Sequence, residues 1–196
     1  PNWVNDFNNR KVTDSLYKLN WNTSLDKSVY LNYATADIKD YESKPFGKEQ
    51  LGFPYDLTRY VGKDFSKISS TPYGNTLTAE MAKAALIAEQ LGKGNATDFL
   101  AISFSSPDYI GHAFGPNSWE MVDDYVKLDE ELGKLFDLLD KQLGVGNYIS
   151  FLTADHAVAH VPGFMKENKL PGGTVDDAAL VKDMNKQLKN AFNADS

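Results

Sequence analysis

The chain has 196 residues, 42% of them hydrophobic and 24% charged, enough for one globular domain with a sizeable core. A formal net charge of −7 argues against binding a nucleic-acid backbone, and no apolar run reaches the ~18 residues of a membrane span. With no cysteine, thiolate metal sites and a disulfide framework are excluded.

Residues 1–73 read as an irregular, cap-like excursion packed on the core. A helix is expected over Val4–Leu19, with Trp3, Phe7, Leu16 and Leu19 giving it an apolar face. From Trp21 to Pro72, Pro45, Pro54 and several glycines break any long element. Trp3, Trp21, Tyr30, Tyr33, Tyr55 and Tyr60 are assigned to packing, because aromatic side chains bury large apolar areas.

Residues 74–196 read as an α/β core segment. Thr76–Leu91 is Ala- and Leu-rich with a 3.6-residue period and stops at Gly92 and Gly94, as a helix does. Asp98–Ser105 is a short apolar run of strand type. Asn117–Leu143 is a long helix whose stripe runs through Trp119, Val122, Val126, Asp129, Leu132, Phe136, Leu139 and Leu143. Asn147–Thr153 is a second strand, and Val175–Phe192 a final amphipathic helix with Leu180, Met184, Leu188 and Phe192 on one side. Buried strands alternating with helices predict a mostly parallel sheet covered by helices.

All three histidines fall between residues 112 and 160, and two belong to acidic pairs. Asp108 and His112 lie in Ser-Pro-Asp-Tyr-Ile-Gly-His after the first strand. Gly111 and Gly115-Pro116 there favour a loop with at most one helical turn. Asp155 and His156 end Phe-Leu-Thr-Ala-Asp-His after the second strand. Neighbours on an extended strand point to opposite faces, so this pair can share an ion only if the strand has ended there. Ala154 and Ala157 permit such a turn. Singly, each pair also reads as a turn starter or a chance dipeptide. Together, at two strand ends where open α/β sheets bind ligands, Asp108, His112, Asp155 and His156 are candidate ligands for zinc-like ions, converging at one sheet edge. His160 is followed by Val161-Pro162, which disfavours a continuing helix, and is assigned as an outer partner that orients a ligand.

These motifs, with Tyr125 and Asp129 on the helix between them, resemble the alkaline phosphatase superfamily. Within it they resemble the bacterial phosphate-irrepressible alkaline phosphatases, relatives of the type I phosphodiesterases and nucleotide pyrophosphatases. Pro1–Asn8 and Trp21-Asn22 share the likeness, so it covers most of the chain. It implies part of an alkaline-phosphatase-like sheet, a periplasmic or secreted setting, and hydrolysis of small phosphate esters at two zinc ions. Asp108 and His112 match ligands of one ion, Asp155 and His156 ligands of the other. It also implies parts with no match here: an upstream Asp ligand, a Thr or Ser nucleophile, an Asn and a Lys-x-Arg pair on the phosphoryl group, and a further downstream histidine. The resemblance therefore implies an internal fragment of a longer enzyme, inactive alone, with neither nucleic acid nor membrane as partner. A phosphodiesterase, sulfatase or phosphomutase of the same superfamily, and a non-enzymatic α/β module, are the alternatives.

Overall fold

The computed structural model describes residues 1–192. The expected N-terminal helix is two helices, α1 (Asn2–Asn9) and α2 (Val12–Tyr17). They are separated where Lys11 adopts the left-handed conformation at φ 50° and ψ 47°. That conformation interrupts the ladder and lets Phe7 from the first piece and Leu16 and Tyr17 from the second each be buried. α3 (Lys27–Tyr33) starts at Asp26, whose carboxylate accepts from the Ser28 amide. Two short 3₁₀ turns follow at Thr58–Tyr60 and Phe65–Ser70. Then come α4 (Tyr73–Ala88), α5 (Ser106–Phe114) and α6 (Trp119–Leu143). The helix expected from Thr76 is α4, and the one expected from Asn117 is α6, entered through Ser118, whose hydroxyl accepts from the Met121 amide.

Two compact units result, Pro1–Ala159 and a second beginning at His160. The second carries α7 (Pro162–Glu167) and α8 (Asp177–Phe192), the latter matching the expected final helix. The apolar positions Leu180, Met184, Leu188 and Phe192 of α8 are half-exposed or more.

The core of the first unit is aromatic. Trp21, Tyr55, Phe46 and Phe114 pack with ring centroids 5.0–6.4 Å apart, joined by Leu57, Ile68, Ile110 and Met121. Trp21, Tyr30 and Tyr55 are fully buried, as their assignment to packing requires, whereas Tyr33 is exposed. α4 and α5 both pack on α6. Of the predicted stripe on α6 Trp119 is buried, Asp129 and Phe136 are exposed and the rest are partly buried, while the helix also buries Glu120, Met121, Asp123, Asp124, Glu131 and Leu135. Four of those six are acidic. Donors from other segments reach three of these carboxylates, Glu120, Asp123 and Asp124.

The expected parallel sheet is not formed among the described residues, where the one β-bridge outside helices is an isolated antiparallel pair, Trp21 with Tyr55. Residues 97–104 and 148–154 are neither helical nor paired in a ladder. Phe99 is 78% exposed and Ile149 95% exposed. A parallel strand needs a neighbour on each edge and cover on each face, and neither run supplies the other with one.

Candidate metal centre

Asp108 and His112 lie on a helix, not on the loop that Gly111 and Gly115 suggested. Pro107 is tolerated in the first turn, where its missing N–H costs nothing, and Gly115 at φ 89° ends the helix. Ser106, Ile110, Gly111 and Phe114 form the buried face of α5, so Asp108 and His112 share the opposite face one turn apart. α4 passes the start of α5 so closely that a Cβ on Gly74 would fall 2.2 Å from Ser106 Oγ, so only glycine fits there. His112 Nε2 stands 3.5 Å from Asp108 Oδ1.

The second pair lies just past the extended run, where the backbone bends at Asp155. Asp155 Oδ1 accepts from the His156 amide at 3.1 Å, and His156 Nε2 is 3.6 Å from Asp155 Oδ2. His156 Nδ1 lies 3.0 Å from the Ala157 carbonyl. A carbonyl can only accept, so Nδ1 carries the proton and Nε2 of the neutral ring presents its lone pair. That is the tautomer a metal ligand needs. The Ala157 carbonyl, then Asp155 and Asp108, hold the His156 pKa above its ordinary value.

The two pairs meet. His156 Nε2 is 3.8 Å from Asp108 Oδ1, so one carboxylate oxygen lies within 4 Å of imidazole nitrogens from both motifs. Donors ~2.0 Å from a tetrahedral zinc ion stand ~3.3 Å apart, so the 3.5 and 3.6 Å separations within the two pairs and the N/O chemistry are compatible with zinc. The number of donors does not complete a site. Among the described residues no group of three or more His, Asp or Glu is arranged to hold an ion. All four side chains face solvent, Asp155 at 90% exposure and His112 at 80%. His160 opens the second unit, with its ring stacked on Phe164 at 4.7 Å.

Sequence reasoning missed the buried carboxylates beside this site. Asp123 Oδ2 accepts from Trp21 Nε1, and Asp123 Oδ1 from Tyr30 Oη and the Ser24 amide, each at 2.6 Å. Glu120 Oε1 accepts from Tyr55 Oη at 2.5 Å, and Asp124 Oδ1 from Asn75 Nδ2 at 3.0 Å. The only available signal was acidic residues at i, i+3 and i+4 beside Trp119 and Met121.

With a metal-type Asp–His convergence held on α5 and at the end of an extended run, the comparisons with known proteins define the class. The family model for type I phosphodiesterase / nucleotide pyrophosphatase matches residues 3–185, and the chain belongs to that family, within the alkaline phosphatase superfamily. It is 49% identical over 173 residues to alkaline phosphatase PhoV of Synechococcus elongatus, covering 88% of this chain and 31% of that protein. It is 44% identical over 198 residues to alkaline phosphatase PafA of Elizabethkingia meningoseptica, covering 100% of this chain and 36% of that protein. The crystal structure of wild-type PafA superposes with a TM-score of 0.88 at 44% identity, over 100% of this chain and 37% of that one. The chain thus spans about a third of the length of these relatives, and the alkaline-phosphatase-like fold is shared over that span.

Proposed function

We propose that these residues are part of a zinc-dependent phosphatase that hydrolyses small phosphate monoesters, and that the chain alone lacks the activity. Asp108 carries the reading: its Oδ1 lies within reach of His112 Nε2 and of His156 Nε2, which two motifs 44 residues apart bring together. In this reading Asp108 and His112 hold one zinc ion, and Asp155 and His156 the other. Bound by these residues, such ions would supply the positive charge that phosphoryl transfer needs. The chain's own contribution is orientation. α5 fixes Asp108 and His112 one turn apart, and the Ala157 carbonyl fixes the ligating tautomer of His156. The nucleophile and the remaining ligands come from sequence beyond these residues, as do strands that pair residues 97–105 and 147–153 into a sheet. No helix among the described residues is long and apolar enough to cross a membrane, and a periplasmic or secreted setting is carried over from the family resemblance alone.

The matched family description also covers phosphodiesterases, which is the second reading. Both are tested by p-nitrophenyl phosphate and bis-p-nitrophenyl phosphate turnover with added zinc, on this chain and on a form extended to the relatives' length. The expected result is turnover of the monoester by the extended form alone, abolished by Asp155→Ala or His112→Ala. Preference for the diester selects the second reading. Robust turnover by the 196-residue chain overturns the claim that its site is incomplete.

A further inference from the structure

Two carboxyl groups that the metal site does not use are buried, one in the 34–57 segment and one on α6, close enough that the charge of the first acts on the second. Glu120 is fully buried; its Oε1 accepts from Tyr55 Oη at 2.5 Å, and its Oε2 has no hydrogen-bond partner. Glu42 is 8% exposed; its Oε2 accepts from the Lys39 amide at 3.1 Å, and its Oε1 also has no hydrogen-bond partner. Burial penalises the charged form, so a buried carboxylate with one oxygen unsatisfied costs more than the protonated carboxyl does. The charged groups around the pair make ionisation harder. Glu120 feels Glu42 and Asp37 as like charges, and Asp123 and Asp124 share its helix. Lys39 acts on Glu42 and Lys27 on Asp37.

The seam is also where the excursion grips the ligand-bearing helix. The Ser43 amide donates to the Ala113 carbonyl at 2.7 Å and the Thr35 amide to the Asn117 carbonyl at 2.9 Å. Trp119 Nε1 donates to the Thr35 carbonyl at 2.7 Å. These bonds fix the turn from α5 into α6, one residue from His112.

We propose that Glu42 and Glu120 form a protonation latch: while both are neutral they hold the 34–57 segment on the α5–α6 junction, and their ionisation releases it. Burial supports the assignment, pushing Glu120 up to about 8 and Glu42 up to about 7. Both folded values lie above the ordinary carboxyl value. The clamping contribution is therefore complete at acid pH and is lost as pH rises through 7 and 8. Release would loosen the support under His112 at alkaline pH, whatever substrate the complete protein takes.

Hydrogen exchange of the full chain from pH 6 to 10, corrected for the intrinsic rise of exchange with pH, reads the latch at the Thr35 and Ser43 amides. Their protection should fall by about tenfold per pH unit once ionisation opposes closure, while amides in the middle of α4 keep theirs. Glu120→Gln still accepts from Tyr55 and cannot ionise, which leaves Glu42 as the one titrating member, so its loss of protection should be smaller and shallower than the wild type's. Glu42→Gln removes a neighbouring negative charge, so its loss of protection should persist with a midpoint at lower pH. Unchanged protection in the wild type, an equal loss in Glu120→Gln, or an unmoved midpoint in Glu42→Gln each overturns the latch. If circular dichroism shows Glu120→Gln unfolded, the wild-type profile and the Glu42→Gln midpoint decide.

Discussion

α5 has two faces, and they belong to two very different regions. One face puts Ile110 and Phe114 into the aromatic core with Trp21, Phe46 and Tyr55, where every ring is at least nine-tenths buried. The other presents Asp108 and His112 to solvent, opposite an extended run whose Phe151 and Leu152 are 75% and 82% exposed. The first region is closed largely by residues within this chain: Asp123 Oδ2 and Glu120 Oε1 take donors from 102 and 65 positions away. The second is unfinished: its strands have no ladder and its carboxylate–imidazole pairs too few donors. The contrast shows that the core around α6 supports the candidate metal centre without depending on it. Stability and metal binding should therefore separate cleanly under mutation.

The largest effect expected is at Asp123. Asp123→Ala removes the acceptor of the Trp21, Tyr30 and Ser24 donors at once and strands them in the core. Removing one partner of a buried charged network costs roughly 3–5 kcal/mol, read as a shift in the urea midpoint of this chain. A loss below about 1 kcal/mol would mean the network is not what closes the first region, and the contrast would fail.

A smaller effect follows from Asp124. Burial, with Asp123 adding like charge, raises its pKa to about 7, so the neutral acid is the form the fold prefers. For a carboxyl whose folded value is raised, stability is fully present below the ordinary value and is lost as pH rises through 7. Asp124→Asn keeps an acceptor for Asn75 Nδ2, and its amide can also serve the unpartnered Asn75 Oδ1. The variant should match the wild type at pH 4 and exceed it at pH 9 by about 1–2 kcal/mol in urea unfolding. Equal stability at both pH values would show that Asp124 is solvated and belongs with the open region.

The same divide explains what could be read from the sequence. The four candidate ligands and the chemistry they suggest were legible because each pair is local, four residues or one residue apart. The helix around Asp108 was not, since its glycines suggested a loop. Ile110 and Phe114, also one turn apart, bury that face and make Gly115 a terminator instead of a breaker. The acidic interior of α6 was illegible for the opposite reason. What satisfies Glu120 and Asp123 comes from Tyr55, Trp21 and Tyr30, and no local pattern announces a donor that far away. Asp98–Ser105 and Asn147–Thr153 read as strand-type sequence, yet neither is in a ladder among the described residues, because pairing depends on neighbours that no local pattern specifies.

The smallest stability effect expected is at the ligands themselves, and it makes the most sensitive test of the contrast. His112→Ala and Asp155→Ala remove side chains that are 80% and 90% exposed, with ion-pair partners at 3.5 and 3.6 Å. Exposed pairs of this kind contribute within about 0.5 kcal/mol, so both variants should unfold in urea within that margin of the wild type. Calorimetric zinc titration should behave differently. The wild-type chain should bind zinc weakly, because each pair supplies two donors where a closed site uses four, and either variant should bind it more weakly still. Zinc should accordingly raise the urea midpoint of the wild type and not of the variants, since a ligand stabilises only the state that binds it. A stability loss above about 2 kcal/mol in the absence of zinc would show that the ligand pairs help hold the fold together, and the two faces of α5 could no longer be treated as separate.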